Sequence, residues 1–417
     1  MTIRVTEATR VATGRHTVVL LGCLSALGPI GVDIYLPAFP RIAADLGCDV
    51  GAVQQSMAAY FLALSLGQLV YGPISDRIGR KPPICIGLSI FAIGALLAAC
   101  SSSVAALIAA RFVQGLGICA IIALIRAIVR DLHVGAEAAH MMARMLLIVS
   151  VSPLLAPLAG SAILGFASWR LIFVLLAVMA AALLLLTGYG LPETHHPTAA
   201  SSAPGESLAR RCWRLLADPG FRRPMLVLAC AQAGASIYLA SASQLYIVDY
   251  GLGGLAYGLV FAINAVGMIG LAQTNRWLIR RRGPASVLRA GTAGCAVAML
   301  GVAATNLAGL HSIGLVLIGF FVYFSAFGLV MAPASVIALH GHPELSGTAA
   351  ALLGTVQFAS GAAATALAGY GFDGSAGPAI SLQAVVAVTA WCAAVRIPHE
   401  ADQLRRPPDA SAESASA

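Results

Sequence analysis

The sequence predicts an all-α membrane protein, with twelve transmembrane helices folded as two six-helix bundles. Composition is the first of three reasons. The 417 residues are 59% hydrophobic and 10% charged, with a mean hydropathy of +0.87, whereas a soluble domain carries about 25% charge. Second, apolar runs of about 20 residues, enough to cross a bilayer, recur along the chain. Third, a polar stretch rich in Pro, Ser and Arg, Pro192 to Arg223, divides those runs into six and six.

In chain order the runs begin near Thr17, Ala52, Pro82, Val104, His140, Trp169, Arg223, Leu255, Ser286, Ile313, Ser346 and Pro378. The expected units are an N-terminal bundle over 1–191, a cytoplasmic linker loop over 192–222, a C-terminal bundle over 223–395 and a disordered cytoplasmic tail over 396–417. Arg4, Arg10 and Arg15 resemble the charged start of a signal peptide. The run that follows is long enough to span, so it reads as an uncleaved first helix.

Charge sets the orientation. With both termini inside, nearly all of the 25 Lys and Arg residues fall in the termini and cytoplasmic loops. The exceptions are Arg41 and Arg170 at the outer face and Arg111 and Arg144 within spans. That is the positive-inside asymmetry, so the net charge of +8 calls for the lipid bilayer as partner and no nucleic acid. Nine cysteines are scattered without C-x-x-C or any metal-ligand spacing and read as apolar packing residues. A Cys48–Cys100 disulfide is the minor alternative. His195 and His196 read as solvated loop residues.

One charged knot stands between the second and third runs. Gly72 to Lys81 reads G-P-I-S-D-R-I-G-R-K. Gly72 and Gly79 permit a tight turn, and Asp76 with Arg77, Arg80 and Lys81 is placed to form a conformational latch at a helix end. The plain reading is an ordinary basic membrane loop. A degraded copy, N-R-W-L-I-R-R-R-G, occupies Asn275 to Gly283 between the eighth and ninth runs, with the acid missing. Such an internal repeat belongs to a transporter architecture with its site at the midplane between halves. Ala58, Ser65 and Gly72 recur every seven residues in the second run, and Gly347, Gly354 and Gly361 in the eleventh. Each set stays roughly on one face, and small residues let membrane helices approach closely.

The knot's spacing resembles the signature loop of the major facilitator superfamily. Further motifs narrow the resemblance to its Bcr/CflA-type drug:proton antiporters: V-D-I-Y-L-P-A-F-P from Val32, R-F-V-Q-G-L-G from Arg111, V-R-D-L from Val129, S-P-L-L-A-P-L-A-G from Ser152 and S-G-T-A-A-A-L-L-G from Ser346. The fifth-run element departs from the family form, with Ala156 before Pro157 and Ser161 after Gly160. The resemblance implies the major facilitator fold and alternating access. It implies efflux of drugs or small amphipathic metabolites across the bacterial inner membrane, hence antibiotic resistance, by a monomer. The energy source is the proton gradient, without a cofactor.

Of 17 acidic residues, Asp33 alone lies well inside a run. Asp249 falls at the edge of the seventh. A carboxylate at the centre of a spanning helix costs about 2.5–3.5 kcal/mol on insertion scales, and such residues serve ion and proton pathways. Asp33 is therefore the candidate for proton coupling; the plain reading is a helix-capping residue wetted from outside. Arg111 is its expected counter-charge, roughly 10 Å deep against roughly 6 Å for Asp33 at 1.5 Å per residue. The alternative for Arg111 is a structural bond to backbone carbonyls. Tyr35, Tyr60, Gln114, Tyr238, Asn264 and Phe358 are the candidate substrate pocket, each singly explicable by packing. Pro153, Pro157 and Gly160 in the fifth run, with Gly347 and Gly354 in the eleventh, are candidates for helix packing and gating.

Enzymatic readings find no support. Lys81, the single lysine, is followed by Pro82, so no P-loop is present, and neither G-x-S-x-G nor H-E-x-x-H occurs. Energy then comes from an ion gradient or from the substrate's own gradient; each proton crossing the potential contributes about 2.3 kcal/mol per 100 mV. The main alternative is an uptake carrier for a nutrient or organic acid, with Arg111 binding a carboxylate. A membrane enzyme or non-transporting sensor is the remaining one.

Overall fold

The computed structural model describes residues 15–132, 136–194, 207–310 and 312–398. His195 and His196, most of the linker and the tail lie outside them. The described chain forms twelve rods. The first is α1 (Arg15–Asp33), a 3-10 turn (Leu36–Ala38) and α2 (Phe39–Leu46). Five more complete the first bundle: α3 (Val50–Ile78), α4 (Lys81–Ala99), α5 (Val104–Leu132), α6 (Ala136–Phe166) and α7 (Arg170–Gly190). After a short helix, α8 (Leu208–Ala217), the second bundle begins with α9 (Pro219–Ser243), which ends in a π-helical turn (Gln244–Asp249). Then come α10 (Gly254–Arg282), α11 (Pro284–Leu307), α12 (Ile313–Phe327), α13 (Met331–His340), α14 (Ser346–Tyr370) and α15 (Gly377–Val395). The tenth rod is α12 and α13 joined.

Eleven rods are long and apolar enough to cross a membrane. The other, α3, is as long but carries Gln54, Gln55 and Gln68. Leu185, Leu186, Val297, Ile318 and Val385 are exposed on the perimeter, as lipid-facing side chains must be, while helical pairing satisfies the backbone.

Local chemistry sets the ends. Asp49 caps α3 by accepting from the Ala52 N–H at 2.6 Å, and Pro219 and Pro284 open their helices where the missing N–H has no partner to lose. The knot is less of a loop than expected. α3 runs on through Gly72 to Ile78, and only Gly79 and Arg80 separate it from α4. The turn rests on Gly79 alone, with φ 93° and ψ 174°, a region open essentially to glycine. Gly283 ends α10 in the same way, with φ 83° and ψ 155°. The internal repeat is therefore a repeat of backbone.

The two bundles meet along α3 with α14 and along α6 with α10. At the end away from the basic turns, a Cβ on Gly51 would stand 2.5 Å from the Gly369 carbonyl oxygen, and Gln55 Nε2 donates to the Ala366 carbonyl at 3.1 Å. Deeper, Ser65 donates to the Thr355 carbonyl at 2.9 Å and Gly354 lies against Gln68. Of the heptad positions, Ser65 and Gly354 lie at this seam. Gly361 packs on Ser236 of its own bundle, and Gly347 has open space where a side chain would stand. Spacing put them on one face, but the crossing of the helices decides how far contact extends.

α8 was expected to be loop. It is a helix seated on α9 and α14, with Leu215 buried. The nine cysteines are all free.

Candidate functional site

The first rod breaks where its motif has prolines. Pro37 has no N–H for the Asp33 carbonyl, four residues back, and its ring clashes there. α1 therefore ends at Asp33, and the chain turns through Ile34 and Tyr35 before α2 starts. α6 holds the break in place. A Cβ on Gly160 would collide with the Ile34 carbonyl oxygen and meet Pro37, so the backbones touch. α6 stays helical through Pro153 and Pro157.

Asp33 is 6% exposed, and no hydrogen bond or ion pair reaches it from the described residues. The 3-10 turn that starts three residues on packs against α9 and α10 of the second bundle. The carboxylate therefore stands where the two bundles meet.

Arg111 on α5 is fully buried, and its partner differs from the expected one. No Asp33–Arg111 ion pair forms. The guanidinium carbon lies 4.3 Å from the Tyr35 ring centre and 4.2 Å from that of Tyr60, with Phe173 at 5.8 Å. Nη1 donates to Gln114 Oε1, one turn on. Nε and Nη2 have no partner. Similar depth did not make a pair: the guanidinium lies against the Tyr35 and Tyr60 rings instead. Tyr35, Tyr60 and Gln114 thus surround a cation.

Among the described residues, the second bundle buries no charged side chain. Asn264 Nδ2 donates to the Tyr238 hydroxyl at 2.9 Å. Tyr238 packs against Phe261, Phe320 and Phe324 at 5.1, 4.7 and 4.6 Å between ring centres. Tyr257, which the sequence did not single out, is buried with its hydroxyl unpartnered. Phe358 stacks across the seam on Phe61, 6.3 Å between centres.

At the basic end, Gly72 and Asp76 are helical, but the surroundings of their side chains lie outside the described residues. The acids that do engage the knot were not foreseen. Arg80 Nε pairs with Asp131 Oδ2 at 3.0 Å, and Arg80 Nη1 donates to Ser75 Oγ at 2.6 Å. Glu193 accepts from the Arg80 and Lys81 N–H groups at 2.8 and 3.1 Å, capping α4. A Cβ on Gly79 would stand 2.6 Å from the Glu193 carboxylate. Lys81 Nζ donates to the Gly188 carbonyl at 2.7 Å, and Arg77 points outward. These contacts tie the start of α4 to the ends of α3, α5 and α7. The sequence signals for them were the V-R-D-L element that contains Asp131 and the place of Glu193 just past an apolar run.

At the opposite end Asp45 accepts from Arg170 at 2.6 Å and from the Trp169 indole at 3.1 Å. The 3-10 turn there packs against α9 and α10, and α2 against the π-helical turn. The bundles are therefore shut against each other at this end, and Asp33 is sealed beneath.

Comparison with known proteins agrees with this arrangement. The Major Facilitator Superfamily model matches residues 21–365. Multidrug resistance protein D of Escherichia coli (strain K12) is 31% identical over 391 residues, covering 92% of this chain and 97% of its own. The bicyclomycin resistance protein homolog of Haemophilus influenzae is 30% identical, covering 83% and 86%. The xylose transporter XylE of E. coli, solved in a partially occluded inward-open conformation, superposes with a TM-score of 0.71 at 12% identity over 90% of this chain and 96% of its own. Two repeated six-rod bundles, the turn at Gly79 with its echo at Gly283, and these matches give one assignment: the chain belongs to the major facilitator superfamily of membrane transporters, in its Bcr/CflA-type branch.

Proposed function

We propose that this transporter is a proton-coupled exporter of drugs or small amphipathic metabolites, working by alternating access across the bacterial inner membrane. The observation that carries the reading is Asp33: a buried, unpartnered carboxylate at a break in a spanning rod, on the seam between bundles. A group so placed is wetted from one side or the other as the bundles rock, and its affinity for a proton changes with that wetting. The relatives named for multidrug, bicyclomycin and chloramphenicol resistance support drugs as the cargo. The arginine-rich end faces the cytoplasm under the positive-inside rule, with both termini inside. The protein works as a monomer, since each chain holds both bundles of the site.

The test is proton movement in everted vesicles. Adding chloramphenicol, bicyclomycin and a panel of lipophilic drugs to an acidified lumen should produce drug-dependent proton release by the wild type and none by Asp33→Asn. A wild type that moves drug without protons ends the coupling claim. A second reading has its own observation, the two unpartnered donors of buried Arg111, which would suit an organic acid carried inward. Accumulation of labelled acids by intact energised cells distinguishes uptake from export.

A further inference from the structure

Among the described residues, no carboxylate pairs with the fully buried Arg111. A guanidinium in such a place needs some electrostatic partner, and the geometry shows what serves. Two tyrosine rings hold it at 4.3 and 4.2 Å, inside the range where a ring's negative face attracts a cation. Gln114 adds one acceptor. Tyr35 stands just ahead of the 3-10 turn that packs against the second bundle, so this socket closes where the bundles meet.

We propose that Tyr35 and Tyr60 are positioning residues that stand in for a carboxylate, parking Arg111 away from Asp33 so that Asp33 can hold a proton. The proposal rests on the proton-coupled reading above. The charge would otherwise be shared between two groups of opposite sign, and Arg111 would draw Asp33 into its ionised form. With the arginine held against those rings, the carboxyl is spared that pull. Remove a ring face and the guanidinium is released toward the acid.

The groups around the pair leave few other partners. Tyr35 beside the turn, Tyr60 on α3, Cys119 on α5 and Tyr257 on α10 are the titratable side chains whose fields meet there. Phe173 is what α7 contributes at this level. One turn further out on α7, Arg170 is already bound to Asp45.

The test needs no substrate. Purified full-length protein in lipid nanodiscs is titrated with pH while the protonated-carboxyl stretch is followed by infrared difference spectroscopy, and the band absent from Asp33→Asn is assigned to Asp33. Tyr35→Phe and Tyr60→Phe, which keep the ring face, should titrate with the wild type. Tyr35→Leu and Tyr60→Leu should move the midpoint to lower pH by about one unit. Should a Leu variant fail to insert, Tyr35→Met or Tyr60→Met carries the same comparison, with bulk but no ring. Leu or Met variants with a wild-type midpoint overturn the proposal. So do Phe variants that shift as far as Leu, which would assign the effect to the hydroxyl. If Asp33→Asn removes no titrating band, the coupling reading itself falls, an outcome distinct from either.

Discussion

The two bundles share a backbone plan and divide the chemistry. In the first, the rod that opens the bundle breaks below two prolines and leaves Asp33 at the break, with Arg111 buried against Tyr35 two residues on. In the second, the corresponding rod passes into a π-helical turn, and the buried groups at that level are Tyr238, Tyr246, Tyr257 and Asn264. Repetition built the scaffold, and among the described residues the buried charged side chains all lie in the first copy. Two charged copies would double the cost of desolvation, whereas on the proposed function one charged wall and one aromatic wall would supply a switch and a surface for apolar cargo.

The largest effect should come from substituting across that divide. Asp33→Asn is expected to abolish proton-driven export, with folding retained because the amide keeps size and shape. Tyr238→Phe at the facing wall should keep proton coupling and change only drug affinity. Measurement of pH-dependent transport in everted vesicles decides, and a wild-type pH profile in Asp33→Asn would make the charge structural.

The two basic turns offer the next comparison. Gly79→Ala and Gly283→Ala each force a side chain into a backbone region costing about 1–3 kcal/mol. Gly79→Ala should cost the more, because its Cβ also meets Glu193 and dislodges the cap on α4. Thermal unfolding in detergent ranks them, and equal losses would mean that Glu193 moves aside freely.

Within the uncharged wall, Asn264→Ala removes the bond to Tyr238, a change of about 1 kcal/mol. The expected result is a several-fold change in apparent drug affinity with an unshifted pH profile. A shifted profile would place proton chemistry in the second bundle after all.

The smallest effect concerns how α8 is joined to the second bundle. Asp218 caps α9 and lies 2.9 Å from His342. Burial pushes its carboxyl up, but the Gly220 N–H, the His342 ring and the Phe221 N–H together hold it below its ordinary 3.8. Since the folded value is depressed, the stabilisation is complete above pH 3.8 and fades as pH falls through that lower value. The pair is partly exposed, so Asp218→Asn should cost at most about 1 kcal/mol at neutral pH and nothing once Asp218 is protonated. A larger loss at pH 7 than this would make the joint a main support of the bundle.

Much of this was legible in the residues. Hydropathy and basic clusters marked twelve rods, the division into two bundles and the repeated turn, because the bilayer requires long apolar helices and admits cations chiefly at one face. Asp33 stood out for the same reason, as an acid where the solvent is hydrocarbon. What needed three dimensions were the partners. Arg111 and Asp33 matched in depth, yet depth says nothing of the direction in which a long side chain leaves its helix. Asp131 and Glu193 engage Arg80 and the α4 backbone across three helix ends, and α8 became helical against a surface that its own ten residues do not contain. The sequence alone determined the number of rods, their repeat and the buried charges, since each follows from local composition. Which groups touch was decided by the rotation and crossing of the helices, and only tertiary packing sets those.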